Sequence, residues 1–209
     1  MMPVAQAPVR STLFTLAAAV ILSACAAFTS PPPEGPRGML TEIPIDLPQR
    51  KSPDTASATL LIVRPQTQRA YDTTQMAYRL RDQEIAYYRD HEWAATPAEM
   101  MQPLIESTLL RTNRFAAVLA SPNIGRVTYV LQTQIRELVQ DFSPPAAAVR
   151  LSLLLQLTHN ASGRAASKEV VVTEPMSQRS PDAGIAAANR ATANALREVA
   201  QFVLDNAMD

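Results

Sequence analysis

The 209-residue chain has little of what metal, redox and phosphate chemistry requires. It contains one cysteine, two histidines and five scattered glycines. A single cysteine excludes an internal disulfide, and with two histidines it leaves a Cys/His zinc cage incomplete. The few glycines form no phosphate-binding loop. We therefore expect no metal and no cofactor.

An excess of charge of one sign is also lacking, because Lys+Arg and Asp+Glu both number 19. Without a basic surplus or a long basic run, we expect no nucleic-acid partner. Only 18% of the residues are charged and 47% are hydrophobic, so a wholly disordered chain is disfavoured. The length predicts one domain, or at most two small ones.

The N-terminus is typical of a bacterial lipoprotein. The apolar run 13–22 is too short for a membrane-spanning helix, which needs about 20 apolar residues, but it suits the core of a signal peptide. It ends in Leu22-Ser-Ala-Cys25, which resembles a lipobox. This resemblance implies that residues 1–24 are a signal peptide and that Cys25 carries the lipid, with palmitate as an expected acyl chain. The alternatives are an uncleaved anchor helix and an ordinary signal peptide with a chance cysteine.

The residue after the cysteine bears on location. In lipoproteins of Gram-negative bacteria, Asp at that position tends to retain the protein at the inner membrane. Ala26 stands there instead. We therefore expect a lipid anchor in the outer membrane, with the protein on its periplasmic face.

Residues 25–57 are predicted to be a lipid-anchored, proline-rich tether, because they contain seven of the seventeen prolines. A polyproline-like conformation extends by about 3 Å per residue. The stretch 40–47 is apolar enough to dock, but Pro44 and Pro48 confine it to a sheet edge or an irregular arm. We expect residues 26–57 not to contribute to the fold, and the domain to occupy 58–209.

Periodicity predicts an α/β (α+β) fold: an antiparallel or mixed sheet of about five to six strands, with two helices packed on one face. A loop is expected over 66–83, a turn at Arg89-Asp90 and a bulge or strand end at Leu138. The predicted strands cover 59–63, 84–88, 91–94, 115–120, 127–135, 149–158 and 169–173.

Both helices have start signals. Thr96-Pro97-Ala98-Glu99 combines a capping box with proline at the first helical position. Pro103 is expected to delay or kink the first turns, and Asn113 to close this helix. The second helix is predicted to open at Pro181-Asp182, with an alanine-rich inner stripe.

Catalytic patterns are not found, so we expect no enzymatic activity. No serine lies in a nucleophile elbow or an S-x-x-K pattern. His91 lies between Asp90 and Glu92, but neighbours in a strand point to opposite faces. His159 flanks the hairpin turn predicted at Asn160-Ala-Ser-Gly163 and has no acid near it in sequence.

The aromatic residues are unevenly distributed: four of five tyrosines and the only tryptophan lie within 71–93. Tyr and Trp are favoured in interfaces, but strand aromatics also pack in cores. We expect Tyr71, Tyr78 and Arg79 to contact a partner, because 66–83 offers no periodic reason to bury them. Trp93 directly precedes the capped helix and is expected to pack beneath it.

Short motifs follow one another in a recognisable order: Tyr71-Asp72-Thr73, Met76, Tyr78-Arg79, Tyr87-Tyr88, Glu92-Trp93-Ala94, Pro97, Met101, Arg114-Phe115, Val118 and Glu174-Pro175 before an Ala-rich helix. In this order they resemble the ABC-type transport auxiliary lipoproteins, which accompany lipid transporters with mammalian-cell-entry (MCE) domains. The resemblance covers about residues 60–205 and the lipobox. Pro103 and the long proline arm depart from it.

The resemblance implies a non-enzymatic lipoprotein that docks on an MCE protein, itself linked to an inner-membrane permease and an ATPase. Its role would be to support lipid transport between the inner and outer membranes. Two other readings stay open: a periplasmic carrier of lipid or hydrophobic ligands, and a regulator of a cell-envelope enzyme. Polar Thr128, Gln132 and Gln134 on one side of their strand disfavour a lipid groove. Association into a homo-oligomer also stays open.

Overall fold

The computed structural model describes residues 37–48, 58–122 and 125–207, and the compact unit that contains them is Gly35–Asp209. The predicted signal peptide, Cys25 and much of the predicted tether lie outside the described residues. The described strands are β1 (Arg37–Gly38), β2 (Thr59–Ile62), β3 (Gln66–Thr67), β4 (Gln75–Arg79), β5 (Ala86–Trp93), β6 (Ala117–Ala120), β7 (Tyr129–Asp141), β8 (Ala148–His159) and β9 (Ala165–Pro175). The helices are α1 (Pro97–Leu110) and α2 (Pro181–Asn206), and a 3-10 turn spans Arg69–Tyr71.

The long strand β7 organises a mixed sheet. One edge of β7 pairs antiparallel with β8, which pairs antiparallel with β9. The other edge is shared by three short parallel strands in succession, β2, β3 and β4. From these, β6 extends the sheet beside β2, while β5 and then β1 extend it beside β4. The prediction of a mixed sheet with two helices against it is confirmed, and the sheet has nine strands rather than five or six.

The core lies between this sheet and the helices. In β8 four odd-numbered leucines, Leu151, Leu153, Leu155 and Leu157, are at most 3% exposed and belong to one hydrophobic cluster with residues of both helices. Side chains alternate along a strand, so the even-numbered residues of β8 lie on the opposite face of the sheet, which we call the back face. The alternation predicted for 127–135 is present, with Tyr129, Leu131 and Ile135 buried. A register shift between Ile135 and Glu137 confirms the predicted irregularity of this strand, two residues before Leu138.

The helix ends follow their sequence signals. Thr96 caps α1: its side chain accepts from the Glu99 N–H, and the Glu99 carboxylate accepts from the Thr96 N–H at 3.1 Å. The hydrogen bonds from Thr96 hold the pKa of Glu99 below its ordinary value. Pro103 lies inside α1, which continues to Leu110. Asn113 adopts φ +52° in the turn that follows the helix, where Asn is tolerated.

The segment 66–83 was expected to be a loop, and this prediction is wrong. It contains β3, the 3-10 turn and β4. Likewise, Arg89-Asp90 is not a turn between two strands, because β5 runs continuously through it. Gln75 pairs with Glu92 and Ala77 with Tyr87, so β5 has extra residues in a bulge at the expected turn.

The prediction that 26–57 does not contribute to the fold is wrong for 37–48. β1 pairs parallel with β5, and Leu40 is 4% exposed in the core. The Thr41 N–H donates to Asn189 Oδ1 at 2.6 Å, and Arg111 lies 3.1 Å from Glu42. The predicted edge arm therefore exists and packs on the domain, held by the pairing of β1 with β5, by the buried Leu40 side chain and by the contacts to Asn189 and Arg111.

Candidate docking surface

Two of the three predicted contact residues meet on the back face. Tyr71 ends the 3-10 turn, whose Ala70 carbonyl accepts from the Tyr87 hydroxyl at 2.7 Å. Arg79 ends β4 and pairs in register with Asp141 of β7. Burial raises the pKa of Tyr71, and the nearby Glu137 carboxylate raises it further, while Arg79 opposes them. The half-buried Tyr71 therefore lies close enough to Glu137 and Arg79 for their charges to act on its hydroxyl.

Arg79 is held by two carboxylates. Its Nη2 lies 2.5 Å from Asp141 Oδ2, and its Nη1 lies 3.7 Å from Glu137 Oε1. Glu137 in turn pairs with Arg150 of β8 at 2.5 Å. The side chains of Arg79, Glu137 and Asp141 are 20%, 27% and 21% exposed, so these charges are partly shielded from water. We call Tyr71, Arg79, Glu137, Asp141 and Arg150 the back-face patch.

The ion pairs shift the pKa values of their members. The hydrogen bond to Asp141 raises the pKa of Arg79. Burial alone would raise the pKa of Asp141, but hydrogen bonds from Arg79 and from the Ser143 N–H outweigh burial and lower it. Both groups stay charged at neutral pH. With Glu137 and Arg150, two positive and two negative charges hold one another in place.

Tyr78 lies apart from this patch. It precedes Arg79 in β4, so its side chain points to the other face of the sheet. Its ring centroid is 4.7 Å from that of Tyr88 and 6.2 Å from that of Phe142. The Tyr88 hydroxyl donates to Gln140 Oε1 at 2.9 Å. Burial raises the pKa of Tyr88 to about 12, and the neighbouring Tyr78 phenol adds to the shift.

Trp93 is 4% exposed and belongs to the hydrophobic core, as its position before the capped helix predicted. Glu137, Asp141 and Arg150 were not identified from the sequence. The one sequence signal that could have indicated them was the charged residue Glu137, which lies where the alternation of β7 shifts. Their partnership with Arg79 depends on register between strands about 60 residues apart, which periodicity does not reveal.

The two histidines lie outside this surface. His91 packs edge-on to Tyr88 with ring centroids 6.0 Å apart, and His159 lies with Nδ1 2.7 Å from Ser162 Oγ. Within the ranges described by the structure, no three His, Cys, Asp or Glu side chains group as a metal site. Over the same ranges, no helix has the length and apolarity needed to cross a membrane.

The family model for the ABC-type transport auxiliary lipoprotein component matches residues 43–200. The chain belongs to this family. The family is an auxiliary transport component of the cell envelope rather than a known family of enzymes. Its name associates the chain with a membrane anchor and with an ABC transporter.

Solved structures share the fold. A Xanthomonas campestris protein of family DUF330 has a TM-score of 0.71 and 21% identity, covering 82% of this chain and 95% of that one. A second solved structure, of an uncharacterized protein, has a TM-score of 0.61 and 12% identity, covering 76% of this chain and 99% of that one. Among curated proteins, none matches. At these identities the likeness concerns the fold alone.

Proposed function

We propose that this lipoprotein is anchored through Cys25 in the outer membrane, faces the periplasm, and docks on an MCE-type ABC transporter with its permease and ATPase. In this role it supports lipid transport between the inner and outer membranes. Family membership over residues 43–200 is the observation that carries the proposal. The lipobox at Cys25 supports the anchor.

The reach of the anchored chain fits this role. Twelve residue steps separate Cys25 from Arg37, where β1 begins. A polypeptide spans at most about 3.3–3.6 Å per residue, so the domain stays within roughly 40 Å of its lipid. An anchored domain with this limit would meet a transporter component where that component approaches the outer membrane.

The contact surface we propose is the back-face patch, with Tyr71 and Arg79 as its contact residues. Tyr71 offers a large ring and a hydroxyl at low entropic cost. Because ion pairs already hold Arg79, little further side-chain freedom is lost when a partner binds. The alternating charges of the back-face patch would select a partner surface with the complementary charge pattern. Tyr78 is no longer part of the proposed contact, since it packs with Tyr88 and Phe142 on the other face.

The back face does not favour the alternative of a lipid carrier. A depression of about 190 Å³ on this face is lined by four glutamines, Gln66, Gln132, Gln134 and Gln156, together with Val63, Arg64, Thr133 and Leu154. Binding sites for drug-sized ligands usually have about 300–1,000 Å³ and a mainly apolar lining. Amide side chains at this density suit water and polar groups rather than acyl chains. No feature of the described residues favours the other alternative, in which the protein regulates a cell-envelope enzyme.

Site-specific photo-crosslinking in cells tests the proposal. A photoreactive residue at position 71 should capture the MCE protein. The matched control is position 156, since Gln156 is exposed on the same face but lies among the glutamines. Capture at position 71 and not at 156 would support the docking surface. Equal capture at both, or none at position 71, would contradict it.

A further inference from the structure

The outer edge of β9 is open along the described chain. β8 pairs with the other edge over eleven consecutive register positions, from Ala148↔Pro175 to Thr158↔Ala165, without a bulge. No described strand pairs with the outer edge. Long edge strands of native proteins are usually blunted by bulges, charges or a covering element, because open backbone groups invite another strand.

The alternation of hydrogen bonds shows which groups are open. The His159 N–H donates to the Arg164 carbonyl, and the Met176 N–H to the Ala147 carbonyl, so even-numbered residues of this strand bond towards β8. In an antiparallel ladder, the odd-numbered residues then point outwards. Pro175 has no N–H, and its carbonyl accepts from Arg190 at 2.7 Å. The outward backbone groups of Ala165, Ser167, Glu169, Val171 and Thr173 therefore remain, and the last three lie at the middle and C-terminal half of the strand.

The side chains beside this edge include an exposed valine. Val171 is 45% exposed on the back face, whereas its neighbour Val170 is 3% exposed beneath α2. An open groove of about 420 Å³ runs along 168–173 and is bordered by Asn194, Arg197 and Glu198 of α2. An exposed β-branched residue at the middle of an open edge suits cross-strand packing.

We propose that β9 pairs antiparallel with β9 of a second copy of this chain, with Val171 on the twofold axis. In this register Val170 lies opposite Val172 of the other copy, Lys168 opposite Glu174, and Glu169 opposite Thr173. In this register Glu169, Val171 and Thr173 of the two copies exchange six backbone hydrogen bonds, while Ser167 faces Pro175, which has no N–H to donate. The interface is isologous and closes as a dimer, with one sheet continuous across both copies.

Neighbouring registers are less complementary. An axis on Val170 sets Lys168 opposite Val172 and Glu169 opposite Val171. An axis on Val172 sets Val170 opposite Glu174, and an axis on Glu169 sets two glutamates opposite each other. Only the axis on Val171 pairs charge with opposite charge and valine with valine, since like charges or a charge against an apolar residue weaken a cross-strand pair.

Existing ion pairs orient the charged residues of this register. Lys168 Nζ lies 2.7 Å from Glu198, and Glu174 Oε2 lies 3.5 Å from Arg190. A cross-copy pair of Lys168 with Glu174 would join these contacts into one network at each end of the valine cluster. The inference is independent of transporter docking, because it uses the edge of β9 and not the back-face patch.

Disulfide trapping of the full-length protein in its own membranes tests the register. In the Val171→Cys variant, the two introduced thiols belong to a pair about 5.5 Å apart between Cα atoms, within the range of a disulfide. In the control Ser167→Cys, on the same strand and face, the equivalent distance is roughly 27 Å at ~3.4 Å per residue. Mild oxidation should convert most of the Val171→Cys chains into dimers and leave Ser167→Cys at the wild-type background. Equal trapping of both variants, or none at position 171, would overturn the proposal.

Sedimentation of the detergent-extracted protein gives a second test. Val171→Lys places two like charges on the axis without changing a buried position, and Ser167→Lys is the matched control. The wild-type chain and Ser167→Lys should have the mass of a dimer, and Val171→Lys that of a monomer, with thermal unfolding midpoints alike. A monomeric wild-type chain, or a Val171→Lys dimer, would overturn the proposal.

Discussion

Tyr78 and Arg79 are adjacent in β4, yet their side chains lie on opposite faces of the sheet. Tyr78 stacks 4.7 Å from Tyr88, while Arg79 pairs at 2.5 Å with Asp141. Strand alternation therefore separates a packing residue from a residue of the back-face patch. Substitutions at the two positions should have different consequences, one for stability and one for the charge pattern of the surface.

Leu40 should anchor the arm 37–48 to the domain. Leu40→Ala removes a side chain that is 4% exposed, and we expect a loss of ~2–5 kcal/mol in the free energy of unfolding, measured by urea denaturation. Met39→Ala is the matched control, since Met39 is 55% exposed and should change stability by less than ~0.5 kcal/mol. Equal and small effects at both positions would show that the arm does not stabilise the domain.

The ion pair of Asp141 should make stability depend on pH in the acid range. Hydrogen bonds lower the pKa of Asp141 below its ordinary value of 3.8, so its stabilising effect is present above about pH 4 and is lost as pH falls through the folded-state pKa. Asp141→Asn should therefore cost ~1–2 kcal/mol at pH 7 and progressively less in acid. Urea unfolding across pH 2–7 measures this, with Asp82→Asn in the exposed β4–β5 turn as control. A cost independent of pH would contradict the assignment.

Gly184 should be required because the Gln140 side chain occupies the space that a larger residue at position 184 would need. A Cβ at position 184 would overlap the Gln140 amide, which belongs to a residue 3% exposed. We expect Gly184→Ala to lower the unfolding free energy by ~1–3 kcal/mol. In a Gln140→Ala background the same change should be neutral or stabilising, because Ala favours a helix interior over Gly by about 1 kcal/mol. The same loss in both backgrounds would exclude this contact as the cause.

Cys25 should be the acylated first residue of the mature chain. Intact-mass measurement of protein extracted from membranes should give residues 25–209 plus a diacylglyceryl group and an amide-linked acyl chain. Cys25→Ser should prevent both cleavage and lipidation. A wild-type mass that retains residues 1–24, or shows an unmodified thiol, would reject the anchor.

Local chemistry explains what the sequence could predict. The capping box of Thr96 and Glu99, the apolar stripe of α2, and the hairpin at Gly163 depend on contacts a few residues apart. Gly163 adopts φ +67° in that hairpin turn, a conformation that suits glycine. Such signals are complete within a short window of sequence, so the helices and the β8–β9 hairpin were predicted correctly.

Long-range pairing explains what the sequence could not predict. Gln75–Arg79 is too polar to indicate a strand, and it becomes one because β5 and β7 supply its hydrogen-bond partners. Arg89-Asp90 has the composition of a turn, but pairing on both sides of it makes the segment a bulge. The back-face patch depends on the same pairing, so only Tyr71 and Arg79 among its residues were predicted.

The most direct test of the proposed docking is the affinity of the purified lipoprotein for its MCE protein, measured together with stability. Tyr71→Ala should weaken binding by about fivefold or more, equivalent to ~1 kcal/mol, with little change in unfolding. Tyr78→Ala, seven residues away, should lower stability and leave the affinity of the folded protein unchanged. Unchanged affinity in Tyr71→Ala, or no measurable binding by the wild-type chain, would contradict the account.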